Sequence, residues 1–298
     1  MNGKTRTLTL TSALDAPCVE ISGKAGPLSY YVGGEGPPML LIHSINAAGS
    51  AYEIRPIFEE MTRTHRVYAP DLPGFGFSDR SDRNYTSRLM TDAVHDMLSV
   101  MAGEAGLKPV DALALSLSSE FLARATVETP ERFRTLAFIT PTGFSNRSAH
   151  LGRTRTSREV PGLYAFLTFP LWSNALFSAL TSHASIRFFL RKTFGSDDFD
   201  EGLLQYDYLT THQPGARYAP YAFVSGRLFS VNVLELYAQL EVPVWMTTAS
   251  KGDFANFSNP GWAKRRPNWV VKEFDTGALP QFECPEAFCA AYRAFLQA

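Results

Sequence analysis

Ser116 stands where a hydroxyl could be made to attack a carbonyl. It follows the apolar run Val110–Leu115 and precedes helical spacing from about Ser118 to Val127. Ala114 and Ser118, two positions to either side, are small, as a crowded strand-to-helix turn requires. A serine hydroxyl is a poor nucleophile unless a base takes its proton. Histidine suits that task near neutral pH, and the chain has six: His43, His65, His95, His150, His183 and His212. His65 opens a strand and His95 falls within a helical pattern, so both read as structural. His43 borders a loop after an early strand, where it reads as a packing residue or a pocket wall. His212, in Thr211-His212-Gln213-Pro214-Gly215-Ala216, is followed by a Pro-Gly turn that could fix its approach, which makes it the candidate base. Cys18, Cys284 and Cys289 show no metal-ligand spacing and read as thiols in a reducing compartment. No metal or organic cofactor is implied.

The elements that must position these groups alternate. Thr5–Leu10 and Val19–Val32 alternate in β fashion and suggest an antiparallel opening. Met39–Ile42 is continuously apolar, as a strand covered on both faces should be. A helix over about 51–61, a strand at 66–69 and a helix over about 86–101 follow. Then come the strand 110–115, the helix after Ser116 and a strand at 135–140. Strands and helices in alternation predict a mostly parallel sheet with helices on both faces. The rhythm stops between about 145 and 236, where aromatics fall at helical spacing, and resumes with strands at 242–248 and 269–274. Short helices at 260–266 and 285–296 complete the pattern.

Four segments match one family in order and spacing. They are His43-Ser44-Ile45-Asn46, Asp71-Leu72-Pro73-Gly74-Phe75-Gly76-Phe77-Ser78, Ala114-Leu115-Ser116-Leu117-Ser118 and Lys251-Gly252-Asp253. In this the chain resembles the α/β-hydrolases, in particular the branch with a helical cap. The resemblance covers nearly everything outside 145–236. It implies Ser116 as nucleophile, Asp253 as triad acid, and the backbone N–H groups of Ile45 and Leu117 as oxyanion donors. It also exposes two departures. The elbow lacks both glycines of Gly-x-Ser-x-Gly, and Ser44 replaces a glycine that would be free to adopt φ > 0. More seriously, Asp275-Thr276-Gly277-Ala278-Leu279-Pro280 carries Ala278 where such enzymes place the catalytic histidine.

The expected architecture is therefore an α/β-hydrolase core over 1–144 and 237–298, with a helical cap inserted at 145–236. Residues 160–186 contain no Asp, Glu, Lys or Arg. Phe166, Phe169 and Trp172 in that stretch are expected to wall a pocket for a bulky apolar substrate, with a membrane surface or a second copy of the chain as the alternative partners of the stretch. Pro161 and Pro170 argue against a spanning helix. A net charge of −1 gives no general attraction to nucleic acid. The N-terminal MNGKTRTLTL lacks an apolar core and a cleavage site, so a cytoplasmic location is expected. The sequence sets no oligomeric state. Two functions compete: a serine hydrolase acting on an apolar ester or related molecule, and a catalytically degenerate relative that binds a ligand or runs non-hydrolytic chemistry.

Overall fold

A computed structural model describes residues 8–144, 156–252 and 261–298. Eight strands form one sheet in the order β1-β2-β4-β3-β5-β6-β7-β8. β1 (Cys18–Gly23) and β2 (Gly26–Gly33) make a hairpin whose turn is held from below, since Asp96 accepts from the N–H groups of Lys24 and Ala25. Leu8–Leu10 lie outside any strand, so the antiparallel opening is shorter than its alternation suggests. β2 also runs antiparallel to β4 (Arg66–Pro70); every later pairing is parallel. The central strands β3 (Pro38–Ile42), β5 (Val110–Leu115) and β7 (Val244–Ala249) are buried along their whole length. β6 (Phe133–Ile139) lies between β5 and β7, and β8 (Trp269–Phe274) closes the far edge.

Helices cover both faces. α1 (Arg55–Met61) and α12 (Pro285–Leu296) pack on one, α2 (Ser87–Ala105) and α3 (Ser118–Glu128) on the other, giving two cores. The expected helix at 51–61 is split: a tight turn at Ala51–Ile54 precedes α1, because Pro56 has no N–H to continue a helix through it.

Between β6 and β7 lie α4 (Leu163–Leu167), α5 (Ser173–Leu180), α6 (His183–Phe194), α7 (Glu201–Thr211), α8 (Tyr218–Val224) and α9 (Val233–Ala238). Ser182 and Asp200 cap α6 and α7 through their side-chain oxygens. Gly195 ends α6 in the left-handed region, where a Cβ would come within 2.5 Å of the Gly252 nitrogen. α10 (Gly261–Lys264) precedes β8, and α11 (Pro280–Glu283), a single turn started by Pro280, follows it. Because the sheet is parallel, the C-terminal ends of β3, β5, β6, β7 and β8 share one edge. That is where open α/β sheets place their ligands.

Candidate active site

β5 ends at Leu115 and α3 starts at Ser118, so Ser116 and Leu117 must turn the chain within two residues. Ser116 does so with φ of +50°, a region that costs a side chain roughly 1–2 kcal/mol. The turn is pinned on both sides. The Ser116 N–H donates to the Ile139 carbonyl of β6 at 2.8 Å, and Ser119 N–H returns to the Ser116 carbonyl at 3.2 Å. Ala114 and Ser118 are fully buried. Ser118 Oγ donates to the His43 carbonyl at 2.6 Å, so the residue in place of the second glycine ties α3 to the end of β3. Ser116 itself keeps part of its surface exposed, and its hydroxyl has no protein partner among the described residues.

The loop after β3 is built around two buried polar side chains. His43 accepts the Leu72 N–H at Nε2 (2.9 Å), so Nδ1 carries the proton and donates to the Ser44 carbonyl at 2.6 Å. Burial lowers its pKa to about 4. It has no exposed surface, so it braces this loop from beneath and forms no wall of a pocket, contrary to that expectation. Ser44 needs no left-handed backbone: among the described non-glycine residues only Ser116 and Thr140 have positive φ. Its N–H and Oγ both donate to Glu53, at 2.7 and 3.0 Å, and Asn46 Nδ2 adds a third bond at 2.6 Å. Ile45, between these two anchors, is buried. The N–H groups of Ile45 and Leu117 donate to no backbone carbonyl among the described residues.

Ala278 is fixed by its backbone. Its N–H donates to the Thr193 carbonyl of α6 at 2.8 Å, and its carbonyl accepts from Thr140 Oγ1 at 3.0 Å. Thr140 follows Ile139, the residue that holds Ser116, and reaches its position with φ of +44°. Ser116 and Ala278 are therefore tied to consecutive residues at the tip of β6. Gly277 is required here, since a Cβ would meet the Thr193 oxygen at 2.2 Å. One turn on, Glu283 accepts the Gly277 N–H at 2.8 Å, and desolvation raises its carboxyl to about 7.

The remaining candidates are not gathered at this point. Asp253 lies outside the described residues. His212 ends α7; Nδ1 donates to the Tyr208 carbonyl at 2.7 Å and the ring packs on Tyr208 with centroids 4.0 Å apart. No described contact joins it to Ser116. Phe166 and Phe169 each make a tilted ring contact with Trp172, and Trp172 Nε1 donates to the Phe166 carbonyl. All three are exposed, Phe166 by 56%. Leu171, Leu176, Phe188 and Phe189 are exposed as well.

Glu53, Thr140, Asp207 and Gln281 escaped the sequence reading. Asp207 had a readable signal: it occupies the same face of α7 as Leu203, Leu204, Thr210 and Thr211, all buried. Among the described residues no helix is long and apolar enough to cross a membrane, and no group of His, Cys, Asp or Glu could hold a metal.

Comparison with known proteins agrees with this architecture. A model described as "Alpha/beta hydrolase family" matches residues 39–291. Two curated relatives are 2-hydroxymuconate semialdehyde hydrolases, from Pseudomonas sp. (strain CF600) and Pseudomonas putida. They are 27% identical over 114 residues and 29% over 113, 38% of this chain in each case. Each match spans 39% of the relative's length. Among solved structures, a probable hydrolytic enzyme from Pseudomonas aeruginosa superposes with a TM-score of 0.74 at 18% identity, covering 97% of this chain and 96% of that one. The 2-hydroxy-6-oxo-6-phenylhexa-2,4-dienoate hydrolase from Rhodococcus sp. strain RHA1 gives 0.72 at 18%, covering 95% and 100%. With the family model spanning the sheet from β3 to α12, the chain belongs to the alpha/beta hydrolase family.

Proposed function

We propose that this chain is a serine hydrolase for a bulky, largely apolar ester or related small molecule, with Ser116 as its nucleophile. The observation that carries this reading is the left-handed backbone of Ser116 at the tip of β5. Strain of that kind persists only where the surrounding structure enforces it, and it presents the hydroxyl clear of the sheet. In this reading Ile45 and Leu117 N–H hold the oxyanion, the latter at the positive end of α3. Asp253 is the acid, and 145–236 is a helical cap over the strand ends. Ala278 cannot take the Ser116 proton. His212 Nε2, free of protein hydrogen bonds among the described residues, is the candidate base from the cap. The curated relatives, named as hydrolases of 2-hydroxymuconate semialdehyde, favour a small-molecule substrate.

Ala278 favours a second reading, in which the fold binds its ligand without hydrolysing it. A fluorophosphonate probe separates the two, because labelling needs an activated hydroxyl. The hydrolase reading expects labelling of the wild type and none of Ser116→Ala. An unlabelled wild type, under conditions that label a control esterase, refutes it.

A further inference from the structure

The turn at 168–172, between α4 and α5, has two sides of different character. Its inner side is anchored. Leu167 and Phe177 are buried with Tyr221 of α8, whose ring meets Phe177 edge-on at 5.6 Å and whose hydroxyl donates to the Ser173 carbonyl at 2.7 Å. Its outer side carries Phe166, Phe169, Leu171, Trp172 and Leu176. Leu171 is 83% exposed and the other four between 38% and 56%. The buried set already holds the two helices in place, so these outward side chains are surplus to the packing. Grouped apolar surface of this kind is unfavourable in water and marks a place where something else binds.

The polar groups of the turn are answered from within. The N–H groups of Phe166, Phe169, Trp172, Ser173 and Leu176 all donate to carbonyls between Gly162 and Trp172, and Pro170 has no N–H to satisfy. Thr168 Oγ1 donates to the Tyr164 carbonyl and Trp172 Nε1 to the Phe166 carbonyl, both at 2.8 Å. No Asp, Glu, Lys or Arg occurs from 160 to 186. A segment so arranged enters hydrocarbon with few polar groups to desolvate. We propose that the α4–α5 turn docks on the surface of a phospholipid bilayer, with Leu171 inserted deepest and Trp172 at the level of the headgroups.

A second copy of the chain is the competing occupant, and area counts against it. At about 150–250 Å² for a large side chain, the five residues expose roughly 500 Å². A standard protein interface takes about 800 Å² from each partner, and a polar rim with about ten hydrogen bonds fixes its orientation. The turn falls short in area and brings no charged side chain to set a register. A bilayer demands neither, since apolar side chains partition into it one by one. This docking surface is independent of the reading of Ser116 as a nucleophile.

The test is tryptophan emission in the presence of phosphatidylcholine vesicles whose acyl chains are brominated near the headgroup, with unbrominated vesicles as the reference. Bromine quenches only an indole that reaches the lipid. Wild type should lose a share of its emission no larger than one of its four tryptophans supplies. Trp172→Phe keeps the turn apolar and removes the reporter, so it should still bind the vesicles while losing that quenching. Leu171→Glu places a charge in the inserted turn and should lose both. If one variant does not fold, the other decides. No quenching of wild type, or the same quenching in either variant, overturns the proposal. A wild-type dimer in analytical ultracentrifugation that Leu171→Glu dissociates, without quenching by lipid, assigns the turn to a second copy and overturns it as well. Ser116→Ala should be quenched as wild type is, so this result and the fluorophosphonate result stand or fall separately.

Discussion

The protonation of His43 offers a test of how the loop after β3 is held. The ring has no exposed surface, and both nitrogens bond to backbone, so the folded state has no room for a second ring proton. Its pKa falls from 6.5 to about 4, with burial as the main cause. Because the folded value is the lower one, the unfolded chain binds the proton first as pH drops. The stabilisation is full above pH 6.5 and drains away between there and about 4. At about pH 4.5 the loss is nearly two units at about 1.36 kcal/mol each, or roughly 2.5 kcal/mol. His43→Gln supplies a neutral acceptor for the Leu72 N–H and removes the titration. Urea unfolding at about pH 7.5 and about pH 4.5 should then show wild type losing roughly 2.5 kcal/mol more than the variant between the two conditions. Comparing the two proteins cancels the opposite trend expected of buried acids such as Glu53 and Asp207. Equal losses would mean that the buried, doubly bonded ring is not the group that titrates, and the argument would fail.

Three other outcomes follow from the site. Ala278→His should raise esterase activity by at least ~10-fold, a small share of what a positioned base contributes, measured on a panel of aryl esters; no change would place the base elsewhere. Ser116→Gly should be more stable than Ser116→Ala by roughly 0.5–1 kcal/mol in denaturant unfolding, since glycine relieves the +50° backbone at some entropic cost; equal stability would mean the elbow is not strained. If the exposed aromatic surface meets lipid, phosphatidylcholine vesicles should sediment wild type but not Leu171→Glu, a change at a residue 83% exposed that leaves the cores untouched; equal sedimentation refutes membrane contact.

The parts of this site carried by chain order were legible in the sequence. β5 and β8 fall where the chain's strand-and-helix rhythm puts them, and a serine between small residues marks the elbow. Proline position was legible in principle: Pro56 and Pro280 each start a helix that periodicity alone merged or overlooked. What stayed hidden depends on distant partners. The role of His43 is set by the N–H of Leu72, and that of Ser44 by the carboxylate of Glu53. Neither pairing leaves a periodic trace. Asp207 reads as one polar residue in an apolar stripe, and only the packing of α7 shows that nothing answers it.

The join between Ala278 and α6 is made by main-chain atoms: the Ala278 N–H meets the Thr193 carbonyl, and Gly277 passes within van der Waals reach of the Thr193 and Phe194 backbone. Such a seam is indifferent to which side chains α6 carries, and asks only that Gly277 keep its bare α-carbon. Diverging sequences could thus exchange whole helices above this seam while the loop beneath keeps its place. Chimeras that swap 145–236 between relatives should tolerate almost any residue at 193, but none larger than glycine at 277.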